Sequence, residues 1–361
     1  GEYLLVNVTL LSKYSRLGAS SRLRSLQYIP VIEGSGIRTQ RKCLFDDEYL
    51  TELYSGAGRN FSSLIRCYKR RLLDLRSLGN VDLIWMEKEA LPYVPYFIEQ
   101  ALMPTSVPYI VDYDDAIFHN YDLSNRWLIR RLLSKKIDQV MANAAVVVCG
   151  NSYLAERATH SGAKNVEIVP TVVDLERYSG SEPKSKDGEI IIGWIGSPST
   201  QHYLLPYRDA LSAVCKQGKV RLMLVGAQPD FYKELGSTPT TIVPWSENTE
   251  VEAISKFDIG IMPLPDEPWE RGKCGYKLIQ YMASGKPVVA SPVGVNADIV
   301  ARSQSGLLAQ TPAEWEAALS SLIVESHKRS EMGHQGRVAV ENHYSLEVQG
   351  KRVVDIIKSV V

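Results

Sequence analysis

The strongest constraint on this chain is an alternation that runs along its whole length and restarts halfway. Short apolar runs at 3–11, 81–86, 109–113, 145–149 and 166–169 are separated by amphipathic stretches such as 21–33, 62–77 and 125–143. Short strands joined by longer helices predict a parallel sheet covered on both faces. Segment 179–188 (SGSEPKSKDG) is polar, carries glycine and proline and has no apolar period, which predicts a linker. The pattern then resumes, with strands expected at 190–195, 220–225, 241–243, 259–262 and 287–290 and helices at 204–216, 250–256, 275–283 and 311–325. A last amphipathic stretch, 346–361, predicts a helix that can cross back to the first domain. At 361 residues the chain is too long for one ordinary core. The expectation is an α/β protein of two doubly wound, Rossmann-like domains facing across a cleft. Their bounds are 1–178 and 189–342, with linker 179–188 between them and the returning helix at 343–361. Ligands of such sheets bind beyond the strand carboxyl ends, which would open onto that shared cleft.

Charge narrows the function classes. Lysine plus arginine (41) equals aspartate plus glutamate (41), so no global field draws the chain to nucleic acid. Five scattered cysteines lack metal-ligand spacing and fit free thiols in a reducing cytoplasm. No apolar run approaches the roughly 20 residues that span a bilayer, and the start does not read as a signal peptide.

The most informative stretch is 266–296, DEPWERGKCGYKLIQYMASGKPVVASPVGVN. Gly275 precedes a helix whose Leu278, Ile279, Met282 and Ala283 give one apolar face. Gly285 suits the left-handed helix end and Pro287 blocks continuation. Arg271, Lys273 and Lys277 crowd the start of that helix. Free amides already make a helix N-terminus electropositive, so each added cation there costs about 0.3–1 kcal/mol. An anion reverses that sign, and a diphosphate would accept the amides and the cations together. The other reading is a solvated basic loop. Trp269 and Cys274 read as packing residues.

Two further loops repeat the logic. Ser291–Asn296 (SPVGVN) leaves a strand, turns at Gly294 and places Asn296 as a candidate helix cap. Its Val293, Gly294, Val295 and Asn296 amides can meet phosphate or ribose. In Ile192–Thr200 (IGWIGSPST) a glycine-bearing strand exit allows close backbone approach at Gly196 and Ser197. The third glycine of a dinucleotide fingerprint is absent, which disfavours a dehydrogenase.

These residues resemble the glycosyltransferase family numbered four, of GT-B fold. The likeness spans nearly the whole chain. It is most specific in GKCGYKLIQYMASGKPVVASPVGVN and is supported by IGWIGSPST, DIGIMPLPD and VPTVVD; a subgroup with a GKCGYKLIQYMA-like pattern fits best. The resemblance implies a nucleoside-diphosphate sugar as donor, retention of anomeric configuration, and neither metal nor cofactor. It also implies that Val243–Glu247 (VPWSE) borders the nucleobase, with Glu247 at its end and Trp245 either stacking on the base or filling core. Pro263 would face the cleft. The family's two glutamates, eight positions apart, fall on Gly272 and Gln280 here. Gln280 can still bond a ribose through its amide, whereas Gly272 cannot replace a carboxylate. The basic pair expected after the first strand of the second domain is replaced around Ser197 and Thr200, so Arg271, Lys273 and Lys277 would neutralise the diphosphate.

The first domain would hold the acceptor. Gly18 leaves the first strand, Ser20 or Ser21 is a plausible N-cap, and Arg22 and Arg24 meet either an anionic acceptor or solvent. Asp112–Asp115 (DYDD), with His119 after it, crowds like charges at a strand end, which raises at least one carboxyl pKa. The family often has a histidine at the corresponding strand exit, where Asp114 stands here, so the resemblance implies that Asp114 or Asp115 contacts acceptor hydroxyl or donor sugar, with His119 nearby. Asp112-x-Asp114 mimics a metal motif of another glycosyltransferase fold and is discounted here, because the second domain carries the phosphate site of a metal-free architecture. Glu87-Lys88-Glu89 reads as ion-paired scaffolding. Two basic amphipathic stretches, 59–76 and 126–136, fit either solvated helix faces or peripheral contact with anionic lipid at the inner face of a membrane.

The sequence thus reads as a cytoplasmic, retaining hexosyltransferase acting on a glycan or lipid-linked acceptor in polysaccharide or cell-envelope glycan biosynthesis. A non-catalytic sugar-nucleotide-binding subunit and a sugar-nucleotide 2-epimerase are the alternatives.

Overall fold

A computed structural model describes residues 5–55, 60–179 and 188–361. Residues 180–187 of the expected linker, the start of the 3–11 strand and Arg59 lie outside the described residues. The chain divides into two compact units, Gly1–Thr171 with Gln349–Val361, and Val172–Val348.

The first unit carries six strands: β1 (Asn7–Tyr14), β2 (Arg38–Phe45), β3 (Leu83–Glu87), β4 (Tyr109–Tyr113), β5 (Val146–Cys149) and β6 (Val166–Ile168). All pair in parallel, in the order β2-β1-β3-β4-β5-β6. The second unit carries β7 (Ile190–Ile195), β8 (Val220–Val225), β9 (Thr240–Val243), β10 (Ile259–Met262), β11 (Val288–Ala290) and β12 (Gly306–Leu308). These too are parallel, in the order β12-β11-β10-β7-β8-β9. The order reverses beside β1 in one sheet and beside β7 in the other. A crevice opens at such switch points, beyond the strand carboxyl ends.

The central strands are legible because both faces are covered. One apolar layer on the second sheet gathers Met223, Phe257, Tyr281 and Met282, and the other gathers Trp194, Leu222, Leu224 and Trp315.

Several local expectations are corrected. The 21–33 helix is three pieces, Ala19–Arg24, a 3-10 turn at Leu26–Tyr28 and Ile29–Gly34. The 125–143 helix breaks into Trp127–Leu133 and Lys136–Asn143. Neither Ser20 nor Ser21 caps a helix: Gly18 holds that position, the Ser20 hydroxyl donates to Asp114 just past β4, and the Ser21 hydroxyl donates to Glu87 at the end of β3. Asn296 is not a cap either. Gly294 takes the cap with φ +55, a conformation open to glycine, and Asn296 lies inside the Val295–Ser303 helix. At 311–325 the capping box forms, Thr311 and Glu314 satisfying each other's backbone amides.

Candidate functional site

In the second unit the elements around the β7 switch point converge. The Tyr276–Ala283 helix starts at Gly275, whose φ of +67 is left-handed. A side chain there would meet Ile299, Val295 and Asn296 of the next helix, so only glycine lets the two helix starts close up. Gly294 likewise packs on the Arg271 carbonyl. The amides of both helix starts therefore lie together.

Lys277 reaches back across this junction. Its ammonium sits 4.7 Å from the centre of the Trp194 ring. A Cβ built on Gly196 would be 3.0 Å from it, so the amine lies directly on the β7 exit. Among the described residues no carboxylate pairs with Lys277. Burial, and then the charge of Lys273, bring its pKa down to about 7. Lys273 is half-buried, 5.6 Å from the Trp269 ring centre. Arg271 is exposed and its guanidinium bonds Asp266 at 2.7 Å. Of the three cations, Lys277 is thus the one set on the strand exit beside Gly196.

The surroundings complete the floor. Gly226, at the end of β8, packs on the Gly196 carbonyl and close to Trp245. Trp245 does not fill core: it is 40 % exposed, and its indole N–H donates to Glu250 at 2.9 Å. The Glu247 carbonyl accepts from Arg177, which also pairs with Glu250 at 3.0 Å. Ser197 is exposed, while Pro263 and Val293 are buried. Gln280 is buried and donates to the Tyr178 hydroxyl at 3.2 Å. Asn296 is fully buried and, among the described residues, neither of its amide atoms has a hydrogen-bond partner. Such a group ordinarily costs about 1–3 kcal/mol, and this one stands where two helix starts meet.

The first unit holds a second polar cluster, at the ends of β1, β3 and β4. Ser20 donates to Asp114, and Lys88 reaches Asp114 at 3.1 Å, Asp115 at 3.9 Å and the Ser20 hydroxyl at 3.0 Å. Lys88 has φ +64, a strained conformation for a non-glycine residue that turns its ammonium into the carboxylates. Ser21 binds Glu87 at 2.5 Å, and Arg24 grips Asp112 through two bonds of 2.6 and 2.9 Å.

The expected carboxyl crowding is resolved unevenly. Burial raises Asp112 and Glu87 despite their cationic neighbours. Burial also acts on Asp114, yet the Lys88 charge, the Ser20 hydroxyl and Arg24 outweigh it and hold that carboxyl at about 2. Such a group is a poor base at neutral pH and suits orienting a hydroxyl.

Arg22 is buried, not solvated, and donates to the Arg16 carbonyl. Gly18 packs tightly on Tyr14. His119 engages Asp122 at 2.8 Å and Tyr153 at 2.7 Å through its two ring nitrogens. Sequence reasoning read Glu87-Lys88-Glu89 as ion-paired scaffolding but named no partner for Lys88; besides its neighbour Glu87 at 4.0 Å, the groups it reaches lie 26 residues or more away. Among the described residues no group of three or more His, Cys, Asp or Glu side chains is placed to hold a metal ion.

Comparison with known proteins follows the same division. Residues 189–325 match the family model described as glycosyl transferases group 1. A putative teichuronic acid biosynthesis glycosyltransferase, TuaH of Bacillus subtilis (strain 168), is 24% identical over 204 residues. That match takes in 47% of this chain and 49% of TuaH, so the chain spans about half the length of the curated relative it matches. Anabaena HepE, solved with UDP and glucose, superposes with a TM-score of 0.70 at 16% identity, over 98% of this chain and 100% of that one. WaaG, a glycosyltransferase involved in lipopolysaccharide biosynthesis, gives a TM-score of 0.69 at 15% identity, over 98% and 99%. The fold is GT-B: two parallel six-stranded sheets with flanking helices. Within it, the second unit carries the segment that matches glycosyl transferases group 1.

The Lys277 environment has a pH signature. Below pH 7 its amine is already charged, so a diphosphate gains the full attraction. Above that value the free protein must take up a proton on binding, and affinity falls by up to tenfold per pH unit. Calorimetric titration with UDP between pH 7 and 9 should show this fall for the parent protein and a flat profile for Lys277→Arg. Parallel profiles would place the titration elsewhere.

Proposed function

We propose that the chain transfers a hexose from a nucleoside-diphosphate sugar to a hydroxyl of a glycan or lipid-linked acceptor, in the cytoplasm, during synthesis of a polysaccharide or cell-envelope glycan. The observation that carries this reading is the Lys277 amine, without a carboxylate partner among the described residues, on the β7 exit beside the paired helix starts at Gly275 and Gly294. That arrangement suits the charge that grows on a departing diphosphate. The HepE complexes with UDP and glucose and the TuaH likeness support the donor class and the glycan product.

In the reaction the bond between the anomeric carbon and the β-phosphate oxygen breaks, and the acceptor oxygen bonds the same carbon. The acceptor proton leaves to the diphosphate or to water. Lys277, Lys273, Arg271 and the helix amides stabilise the leaving group without a metal. Attack from the leaving-group face retains configuration and requires no protein nucleophile. Trp245 and Glu247 border the base, and Asp114 and Asp115 orient the acceptor hydroxyl.

The test is incubation with a panel of nucleoside-diphosphate hexoses and glycan or lipid-linked acceptors. Diphosphate release and the anomeric coupling of the product are followed by NMR. Acceptor-dependent release with an α product from an α donor is expected. An inverted product would overturn retention. An epimerised sugar nucleotide, or binding without turnover on any acceptor, would overturn transfer itself.

A further inference from the structure

Trp245 is 40 % exposed, yet its indole N–H donates at 2.9 Å to a carboxylate, Glu250, that is only 3 % exposed. A single exposed aromatic is ordinary on a protein surface. One tethered to a buried carboxylate is not. Packing alone would bury the ring and leave the carboxylate in water, since a buried carboxylate loses its hydration and needs partners in exchange.

Arg177 is the second partner. Its guanidinium donates to Glu250 at 3.0 Å and to the Glu247 carbonyl at 2.6 Å. One oxygen of Glu250 thus takes the indole and the other takes the guanidinium. Arg177 belongs to the Leu175–Tyr178 turn, which Asp174 caps by accepting from the Glu176 amide at 3.0 Å. The next residue of that turn, Tyr178, is buried, and its hydroxyl accepts from Gln280 at 3.2 Å. One short turn therefore ties down Trp245, through Glu250, and Gln280 directly. These are the positions that the family resemblance sets against the base and the ribose. All of them lie in the second unit. Trp245 also starts close to the strand exits: a Cβ built on Gly226 would lie 3.2 Å from the Trp245 Cβ, and Gly226 packs on the Gly196 carbonyl, where Lys277 lies.

We infer that Glu250 and Arg177 are positioning residues for the donor's nucleoside: they fix the Trp245 ring as the face on which a planar base stacks, and the Leu175–Tyr178 turn is the strut that carries them. This role rests on the proposed place of Trp245 beside the base, and adds what holds the ring there. A tryptophan has only two side-chain torsions to fix, and fixing them in the folded protein removes that ordering cost from binding. Stacking accepts any base, because each presents a π face.

Titration calorimetry on the whole chain tests it, with whichever of UDP, ADP, GDP and dTDP binds tightest and with the matching nucleoside. Trp245→Ala should weaken both ligands at least tenfold. Glu250→Leu should weaken both at least fivefold, by one common factor, because the phosphate site is untouched. In a Trp245→Ala background Glu250→Leu should add less than twofold, since the ring it holds is gone. A carboxylate needed only for the fold would keep its full effect there. Should Glu250→Leu not fold, Arg177→Met/Glu250→Leu, which removes both sides of the ion pair, is read in the same cycle. Unchanged binding to Trp245→Ala overturns the place of Trp245 beside the base, and the positioning role with it; so does a chain that binds none of the four diphosphates. A loss in Trp245→Ala with none in Glu250→Leu, or a Glu250→Leu loss that persists in full without the ring, overturns the positioning role alone.

Discussion

Replacing Lys277 by methionine is expected to slow glycosyl transfer by about 10²–10³-fold, the loss typical of removing one preorganised donor from a developing oxyanion. The argument is positional. Among the candidate cations Arg271 is exposed and shares its charge with Asp266, and Lys273 lies near the Trp269 ring. Lys277 alone is set on the β7 exit, against Trp194 and Gly196. Burial and the nearby charge of Lys273 bring its pKa down to about 7, so a bound anion would favour the charged form. The ring recovers about 0.5–2 kcal/mol of the cost of putting it there, and an anion recovers more. Methionine keeps the stem and the packing, so the melting temperature should change little. Steady-state kinetics with saturating acceptor measures the effect. Turnover within a factor of three of the parent would remove Lys277 from the mechanism.

Arg24→Met is expected to destabilise the first unit by about 3–5 kcal/mol, the range for breaking one side of a buried ion pair. Arg24 and Asp112 are both 2 % exposed and joined by two short bonds, and the same guanidinium donates to the Val169 carbonyl at 2.7 Å. Removing it strands a carboxylate whose pKa burial already raises. Asp112 would then protonate on folding. The defect should therefore be largest above the ordinary carboxylate range and shrink as pH falls toward it. Adding Asp112→Asn should restore part of the loss, because the stranded charge is gone. Urea unfolding followed by circular dichroism checks this. The transition of the first unit should move while that of the second, followed through its shift with UDP, stays. A single-mutant change below about 0.5 kcal/mol, typical of a surface site, would contradict the account.

How much of this was readable in the sequence depends on whether the cause was local. The stretch 272–296 was legible because glycines, a proline and an apolar period mark its helix and strand, and the structure puts the Tyr276–Ala283 helix and β11 there. β7 and β8 were legible because their runs are buried on both faces. β2 was not, since it is an edge strand and RTQRKCLF reads as polar. β12, at the opposite edge of the other sheet, is only three residues long. The break between Trp127–Leu133 and Lys136–Asn143 carries no glycine or proline. It coincides with Lys136 turning inward to Glu89 and Glu99, partners 37 or more residues away. The candidate site divides in the same way. Glycines 196, 275 and 294 announce close approach in the sequence itself. That Lys88 would clamp Asp114, or that Gln280 would bond Tyr178, depends on pairings no local pattern encodes.

Titration calorimetry with UDP and with uridine, on the parent protein and Lys277→Met, tests the phosphate site most directly. The account predicts that the substitution weakens UDP binding at least tenfold at pH 7 and leaves uridine binding unchanged. Equal UDP affinity in the two proteins would contradict it.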